Sequence, residues 1–253
     1  MNAIAPKQAI PRGDAEASLR IDLAAAYRLV AHFGWDDLVF THISVRLPGP
    51  DHYFLINRYG MMFGEITASS LVKVDLQGRL VEGSDALVNP AGFTIHSAIH
   101  AGRPDAQCVI HLHTIAGTAI SCLEDGLAPI HQTAMLLNAS LAYHGFEGLA
   151  HNHDERPRLV ADLGDNPAMI LRNHGTLTVG RTIAEAFTTM YFLERACAIQ
   201  IAAQGSGRIR MPAAPVQDLV RDQAAQGLGS VANRLVWPAL IRLLDREQPD
   251  FRN

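Results

Sequence analysis

The sequence predicts a layered α/β domain that is not a Rossmann fold, and three observations carry that expectation. Strand-like and helix-like patterns alternate along most of the 253 residues. Two continuous apolar runs, Cys108-Val109-Ile110 and Ala168-Met169-Ile170-Leu171, read as buried strands. No Gly-rich phosphate loop of the dinucleotide-binding kind links a strand to a helix.

The elements follow from local patterning. Residues 1–12 read as a flexible arm. From Asp14 to Phe33 the positions Leu19, Leu23, Tyr27, Val30 and Phe33 keep a helical period, which Gly34 stops. Phe40–Leu47 and Tyr53–Asn57 alternate like the arms of a hairpin around Pro48-Gly49-Pro50-Asp51. Ala68-Ser69-Ser70 reads as a helical turn leading into a strand at 71–75, and Gln77-Gly78 turns the chain toward Arg79-Leu80-Val81. Ala91–Ala101 is helical and ends at Gly102 and Pro104. Helices are expected at 115–123, 157–163 and 183–203, with Gly205-Ser206-Gly207 as a break, whereas 135–143 fits either helix or strand. Pro212–Pro215 reads as a linker to two final helices, near 216–226 and 231–244. The expected organisation is an arm (1–12), one domain (13–204), then a linker and C-terminal helices (205–253) that pack on the domain or on a neighbouring subunit.

Composition narrows the partners. A 48% hydrophobic, 18% charged chain is globular, and a net charge of −4 offers no basic footprint for nucleic acid or an anionic membrane. No apolar run has the length of a membrane span, and the N-terminal residues lack a signal-peptide core. Cys108, Cys122 and Cys197, few and odd in number, suit reduced thiols, so the expected compartment is the cytoplasm.

The chemistry is concentrated in the middle of the chain, where nine of twelve histidines fall between His96 and His174. His111 and His113 lie two apart on a strand, so both leave the same face with Cα atoms roughly 6.5–7 Å apart. His174 sits in a tight turn between two strands and can close a triangle of neutral ligands around a divalent ion. Zn²⁺, Mn²⁺ and Fe²⁺ all suit such a set, which does not choose between them, and one ion per chain is expected.

Thr41-His42-Ile43-Ser44-Val45-Arg46, Asn89-Pro90-Ala91-Gly92-Phe93-Thr94-Ile95-His96, Arg103-Pro104-Asp105, His111-Leu112-His113-Thr114, Asn173-His174-Gly175 and Glu185-Ala186-Phe187 follow one another in order. Together they resemble the class II aldolase/adducin family from about Asp14 to Gln204. The resemblance implies a three-layer α/β/α fold with a central, mostly antiparallel sheet. It implies a metal held by His111, His113 and His174, and a homotetramer with active sites near subunit interfaces. The family chemistry is carbon–carbon lysis, with the metal stabilising the enolate left behind.

The chain departs from the sugar-phosphate aldolases of that family. Their acid/base glutamate corresponds to Gly92, and their catalytic tyrosine to Gln132, which can donate a hydrogen bond but cannot exchange a proton near neutral pH. Thr41-His42, Asn57-Arg58-Tyr59-Gly60 and Pro90-Ala91 replace the small hydroxyls and free backbone N–H groups that cradle phosphate. The departures resemble the adducin-like branch, which includes decarboxylases of hydroxylated aromatic acids and a few non-haem iron oxygenases.

The expected function is therefore a metal-dependent lyase acting on a small, non-phosphorylated hydroxy, keto or hydroxy-aromatic acid, with decarboxylation ahead of retro-aldol cleavage. His42 and Gln132 are the candidate catalytic residues, ahead of His131 and His144. Asn57, Arg58 and Gly92 are candidates for the substrate pocket; Arg58 reads equally as a carboxylate clamp or a solvated turn residue. His96 and His100 are expected to face the core and the ligand strand, and His151-Asn152-His153 to lie at the surface. Tyr143 and Glu147 fit a site loop or ordinary packing. The 183–203 helix reads as core. The alternatives are an iron oxygenase on the same scaffold and a non-catalytic adducin-like interaction protein.

Overall fold

In the computed structural model, which describes residues 12–81, 86–149, 153–224 and 228–253, seven strands form one sheet. They are β1 (His42–Arg46), β2 (Phe54–Ile56), β3 (Val72–Val74), β4 (Cys108–Leu112), β5 (Leu141–His144), β6 (Ala168–Leu171) and β7 (Gly175–Gly180). Their order across the sheet is β3-β2-β1-β4-β7-β6-β5, and every pairing is antiparallel except β5 with β6. The helices are α1 (Arg12–His32), α2 (Pro90–Gly102), α3 (Ile115–Ser121), α4 (Gln132–Asn138), α5 (Arg156–Leu163), α6 (Ile183–Ser206), α7 (Ala214–Ala224), α8 (Leu228–Val231) and α9 (Trp237–Glu247), with a π-helical turn at Ala232–Val236.

Side-chain alternation sorts the sheet into two faces. Ile43, Val45, Cys108, Ile110 and Leu112 point to one side, where Tyr27 of α1, Phe187 and Met190 of α6, and Trp237 and Leu244 of α9 bury them. Val109, Met169, Leu171, Leu177 and Val179 point to the other and meet Ile95 and Ile99 of α2 and Leu159 and Leu163 of α5. The result is the three-layer α/β/α arrangement with a mostly antiparallel sheet.

The ambiguous stretch at 135–143 divides into the end of α4 and the start of β5. Its helical half packs Ala134 and Leu137 against Leu193, Ala196 and Cys197 of α6, whereas Ala142 pairs with Met169 in the sheet. The expected break at Gly205 comes later, because α6 runs on through Ser206 and stops at Gly207, where φ is +140°. The C-terminal segment docks on its own chain: Trp237, Leu244 and Phe251 join the α1 core, and Trp237 Nε1 donates to Asp22 at 3.1 Å. The predicted arm, apart from Arg12, lies outside the described residues, as do His151, Asn152 and the side chains of Pro90, Ala91, Phe93 and His153.

One buried hydroxyl ties α1 to the sheet. Tyr27 OH donates to Ile43 O or to Asn57 Oδ1 (2.5 and 2.8 Å) and accepts from the backbone N–H of Ile43 at 2.8 Å. Tyr27→Phe strands these partners in a dry interior, so it should lower stability by about 1–3 kcal/mol. Urea denaturation of both proteins with an unchanged m-value checks this.

Candidate metal centre

β4 delivers two of the three histidines and the β6–β7 turn delivers the third. Cys108, Ile110 and Leu112 turn inward to the α1/α6 layer, so His111 and His113 emerge on the α2 side. His174 follows Asn173, whose φ of +56° lies in the left-handed region that asparagine tolerates. Gly175 is required at the next position, because a Cβ there would come within 2.5 Å of Leu112 O. The three imidazole rings lie 4.8 Å apart, centroid to centroid, in each pair. One nitrogen from each can be chosen so that all lie within 4.8 Å of one another.

Hydrogen bonding fixes which nitrogens are free. His111 Nδ1 lies 3.0 Å from Thr176 O, a pure acceptor, so Nδ1 carries the proton and Nε2 keeps its lone pair. His113 Nδ1 lies 3.1 Å from Asp37 Oδ2, which sets the same tautomer. The two Nε2 atoms then face each other at 3.0 Å. Two bare lone pairs at that distance repel, and a shared cation removes the conflict. A tetrahedral ion with N ligands at 2.0–2.1 Å needs nitrogens roughly 3.3 Å apart, so the donor set fits a divalent metal. Burial, reinforced by the neighbouring histidines, holds the pKa of His111 far below the usual value and lowers that of His174 to about 4. Both are neutral at pH 7, as ligands must be.

A second histidine network backs the first. His100 Nδ1 reaches Ala106 O at 3.1 Å, so its Nε2 accepts from Ser44 Oγ at 2.8 Å. Ser44 Oγ in turn accepts from His96 Nδ1 at 2.6 Å, which leaves His96 Nε2 as a bare, buried acceptor. His96 and His100 thus face the core, as expected, but their shared hydrogen-bond partner is Ser44 of β1 rather than a residue of the ligand strand β4. His42 pairs with His111 across β1 and β4, on the same face, with its ring centroid 5.8 Å from that of His96. It is 4% exposed, and neither ring nitrogen has a hydrogen-bond partner among the described residues. Burial lowers its pKa to about 3.

The remaining candidates divide. Gly92 lies against the His42 ring. Continuing the β1–β2 register brings Arg58 level with His42, at the ligand end of the sheet. Asn57 is level with Ile43, and its side chain is buried against Tyr27. Gln132 opens α4, is exposed, and lies in the α6 layer, with no hydrogen bond to the triplet among the described residues. His131 precedes it at the helix N-terminus. His144 is held by Asp162 at 2.7 Å and Glu155 at 3.2 Å. Tyr143 packs under Arg172, and Glu147 pairs with Arg158. A separate cleft of about 650 Å³, lined by Arg103, Arg181, Thr188 and Arg221, includes none of the triplet.

Two contributors escaped the sequence reading. Asp37 sits in a loop with Leu38 and Thr41 at φ of +50° and +67°, and nothing in Trp35-Asp36-Asp37 signals a role. Glu194 fits the period of a core helix, yet its carboxylate accepts from Thr114 Oγ1 and from the Gly117 N–H at the start of α3, directly after His113. A buried glutamate on an otherwise apolar helix face was the available signal.

The comparisons with known proteins bear on the same residues. The sequence model described as Class II Aldolase and Adducin N-terminal domain matches residues 21–201. The chain belongs to this family. It is 55% identical over 240 residues to a Caulobacter vibrioides protein provisionally named an aldolase class 2 protein, covering 94% of this chain and 93% of that one. Rat alpha-adducin is 44% identical over 204 residues, which are 79% of this chain and 28% of adducin. Among solved structures, L-fuculose 1-phosphate aldolase from Glaciozyma antarctica superposes with a TM-score of 0.86 at 29% identity, covering 98% of this chain and 97% of that one. Family membership supports aldolase-like, metal-dependent lyase chemistry on small molecules. No helix among the described residues is long and apolar enough to cross a membrane.

The histidine networks predict an early acid transition. His100, like His96, is buried neutral, with its pKa lowered to about 3, so the folded protein refuses protons that the unfolded chain accepts below about pH 6.5. Stability should be complete above that pH and fall as pH drops, by up to about 1.4 kcal/mol per unit for each such group. Urea titrations of metal-free protein at pH 7 and pH 5 should show this loss, with a shallower slope in His100→Gln.

Proposed function

We propose that the protein is a divalent-metal-dependent carbon–carbon lyase acting on a small, non-phosphorylated hydroxy, keto or hydroxy-aromatic acid, with decarboxylation favoured over retro-aldol cleavage. The observation that carries this reading is the convergence of three imidazoles, two of which, His111 and His113, have their outer nitrogens held by Thr176 O and Asp37 so that both Nε2 atoms face the shared centre. His111, His113 and His174 would hold the ion, Zn²⁺ first and Mn²⁺ or Fe²⁺ as alternatives. When bound, the ion would supply Lewis-acid stabilisation of the negative charge that collects on a substrate oxygen as the carbon–carbon bond breaks.

The chain's own residues explain the preference. Retro-aldol cleavage needs a base to take a hydroxyl proton, and Gly92 supplies none. Decarboxylation needs a proton delivered afterwards rather than a base, and His42, beside His111 and kept neutral by burial, would hold the substrate or relay that proton from one ring nitrogen to the other. Arg58, level with His42, would clamp a carboxylate, and Asn57 would hold that turn through Tyr27. Gln132 would act across a subunit boundary. Two exposed apolar side chains would rim the site: Phe146, 54% exposed with its ring centroid 6.4 Å from that of His174, and Ile115, 90% exposed two residues after His113. That rim suits an aromatic substrate and a homotetramer whose subunits close over one another's sites. The adducin similarity supports a non-catalytic role only over the shared domain, and a scaffold has no use for paired lone pairs 3.0 Å apart. Iron in the same set would reopen the oxygenase reading.

Elemental analysis of chelator-free preparations tests the site. About one ion per chain in the wild type and none in His113→Ala is expected. Asp37→Ala should keep the fold and weaken metal affinity by about 10–100-fold. Absence of metal from the wild type after incubation with Zn²⁺, Mn²⁺ and Fe²⁺ would overturn the lyase reading. If metal is held, release of CO₂ from a panel of hydroxy-aromatic and 2-oxo acids separates decarboxylation from aldol cleavage.

A further inference from the structure

We infer that residues 42 and 92 form one exchangeable unit that decides whether an imidazole or a carboxylate stands beside the histidine triplet. A Cβ built on Gly92 would lie 2.0 Å from His42 Cε1, 2.1 Å from Nδ1 and 2.5 Å from Nε2. The His42 ring therefore occupies the space that any side chain at position 92 would enter. His42 cannot easily give way, because it is 4% exposed, paired with His111 of β4, and has the His96 ring 5.8 Å off. The histidine on β1 fills the space that a side chain on α2 would need, and glycine at position 92 is the condition for that packing.

The unit has a consequence for the substrate, which rests on the metal-centre reading above. An imidazole brings no negative charge in either protonation state. Among the described residues, the carboxylate hydrogen-bonded to the triplet is Asp37, on the outer nitrogen of His113. A divalent ion held by three neutral ligands keeps its whole charge, so the favoured ligand brings its own anion next to a second oxygen donor. The substrate class is a 2-hydroxy, 2-oxo or ortho-hydroxy carboxylate that chelates through both groups, rather than a neutral ketol.

Two measurements test this. The first is a thermal-unfolding cycle on metal-free protein with Gly92→Ala, His42→Gly and the double variant. Alanine should lower Tm in the wild-type background. It should be neutral or raise Tm when His42 is gone, since alanine is the better helix former. An equal loss in both backgrounds would overturn the unit. The second uses Co²⁺ as a spectroscopic probe and oxalate as a chelating anion. His42→Gly/Gly92→Glu should alter the visible Co²⁺ spectrum and bind oxalate about tenfold more weakly than the wild type. An unchanged spectrum and unchanged oxalate affinity would overturn the charge argument. A wild type that takes up no Co²⁺ would instead overturn the metal-centre reading, and with it the substrate class, while the unfolding cycle still decides the packing unit.

Discussion

β4 lies at the middle of the sheet with β1 on one side and β7 on the other, and its two-residue alternation is the constraint on which the site depends. Cys108, Ile110 and Leu112 are anchored in the α1/α6 core, so His111 has no choice of face. A slip of one residue would drive both His111 and His113 into that apolar layer and expose three core side chains. The largest hydrophobic cluster therefore holds the chemistry in register without touching it. β1 then sets His42 opposite His111, and β7 brings the Thr176 carbonyl that fixes the His111 tautomer.

The two faces of the sheet do different work. The α1/α6 side is apolar and supplies the cohesion, with Tyr27 as its main polar tie. The α2 side carries Ser44, His96, His100 and His42, a buried polar layer whose members mostly satisfy one another. Each hydrogen bond in that layer dictates the next tautomer, starting from the Ala106 carbonyl and ending at the bare Nε2 of His96. Such a layer costs desolvation but orders the wall of the site. Glu194 extends the same logic from α6, tying the first turn of α3 to the residue after His113.

The superposition on a fuculose-phosphate aldolase covers nearly the whole chain, so the scaffold is shared. Beside the histidine triplet this chain carries a ring seated over a glycine, His42 of β1 against Gly92 of α2. The packing there is tight enough that a side chain at position 92 would need the His42 ring to move.

The sequence by itself determined the layered class, the strand that carries His111 and His113, and the turn that carries His174. Period-two alternation and turn residues are local signals, and they survive whatever the strand later pairs with. It also pointed to His42 and Gly92 separately, through the motifs that contain them. Only the tertiary structure decided that these two compete for one volume, because β1 and α2 are 50 residues apart between those positions. Tertiary packing likewise recruited Asp37 to His113 and placed Asn57 under Tyr27. It also divided 135–143 between a helix that α6 covers and a strand that β6 pairs. Those outcomes depend on which distant surface arrives to bury a segment, and no local pattern encodes that.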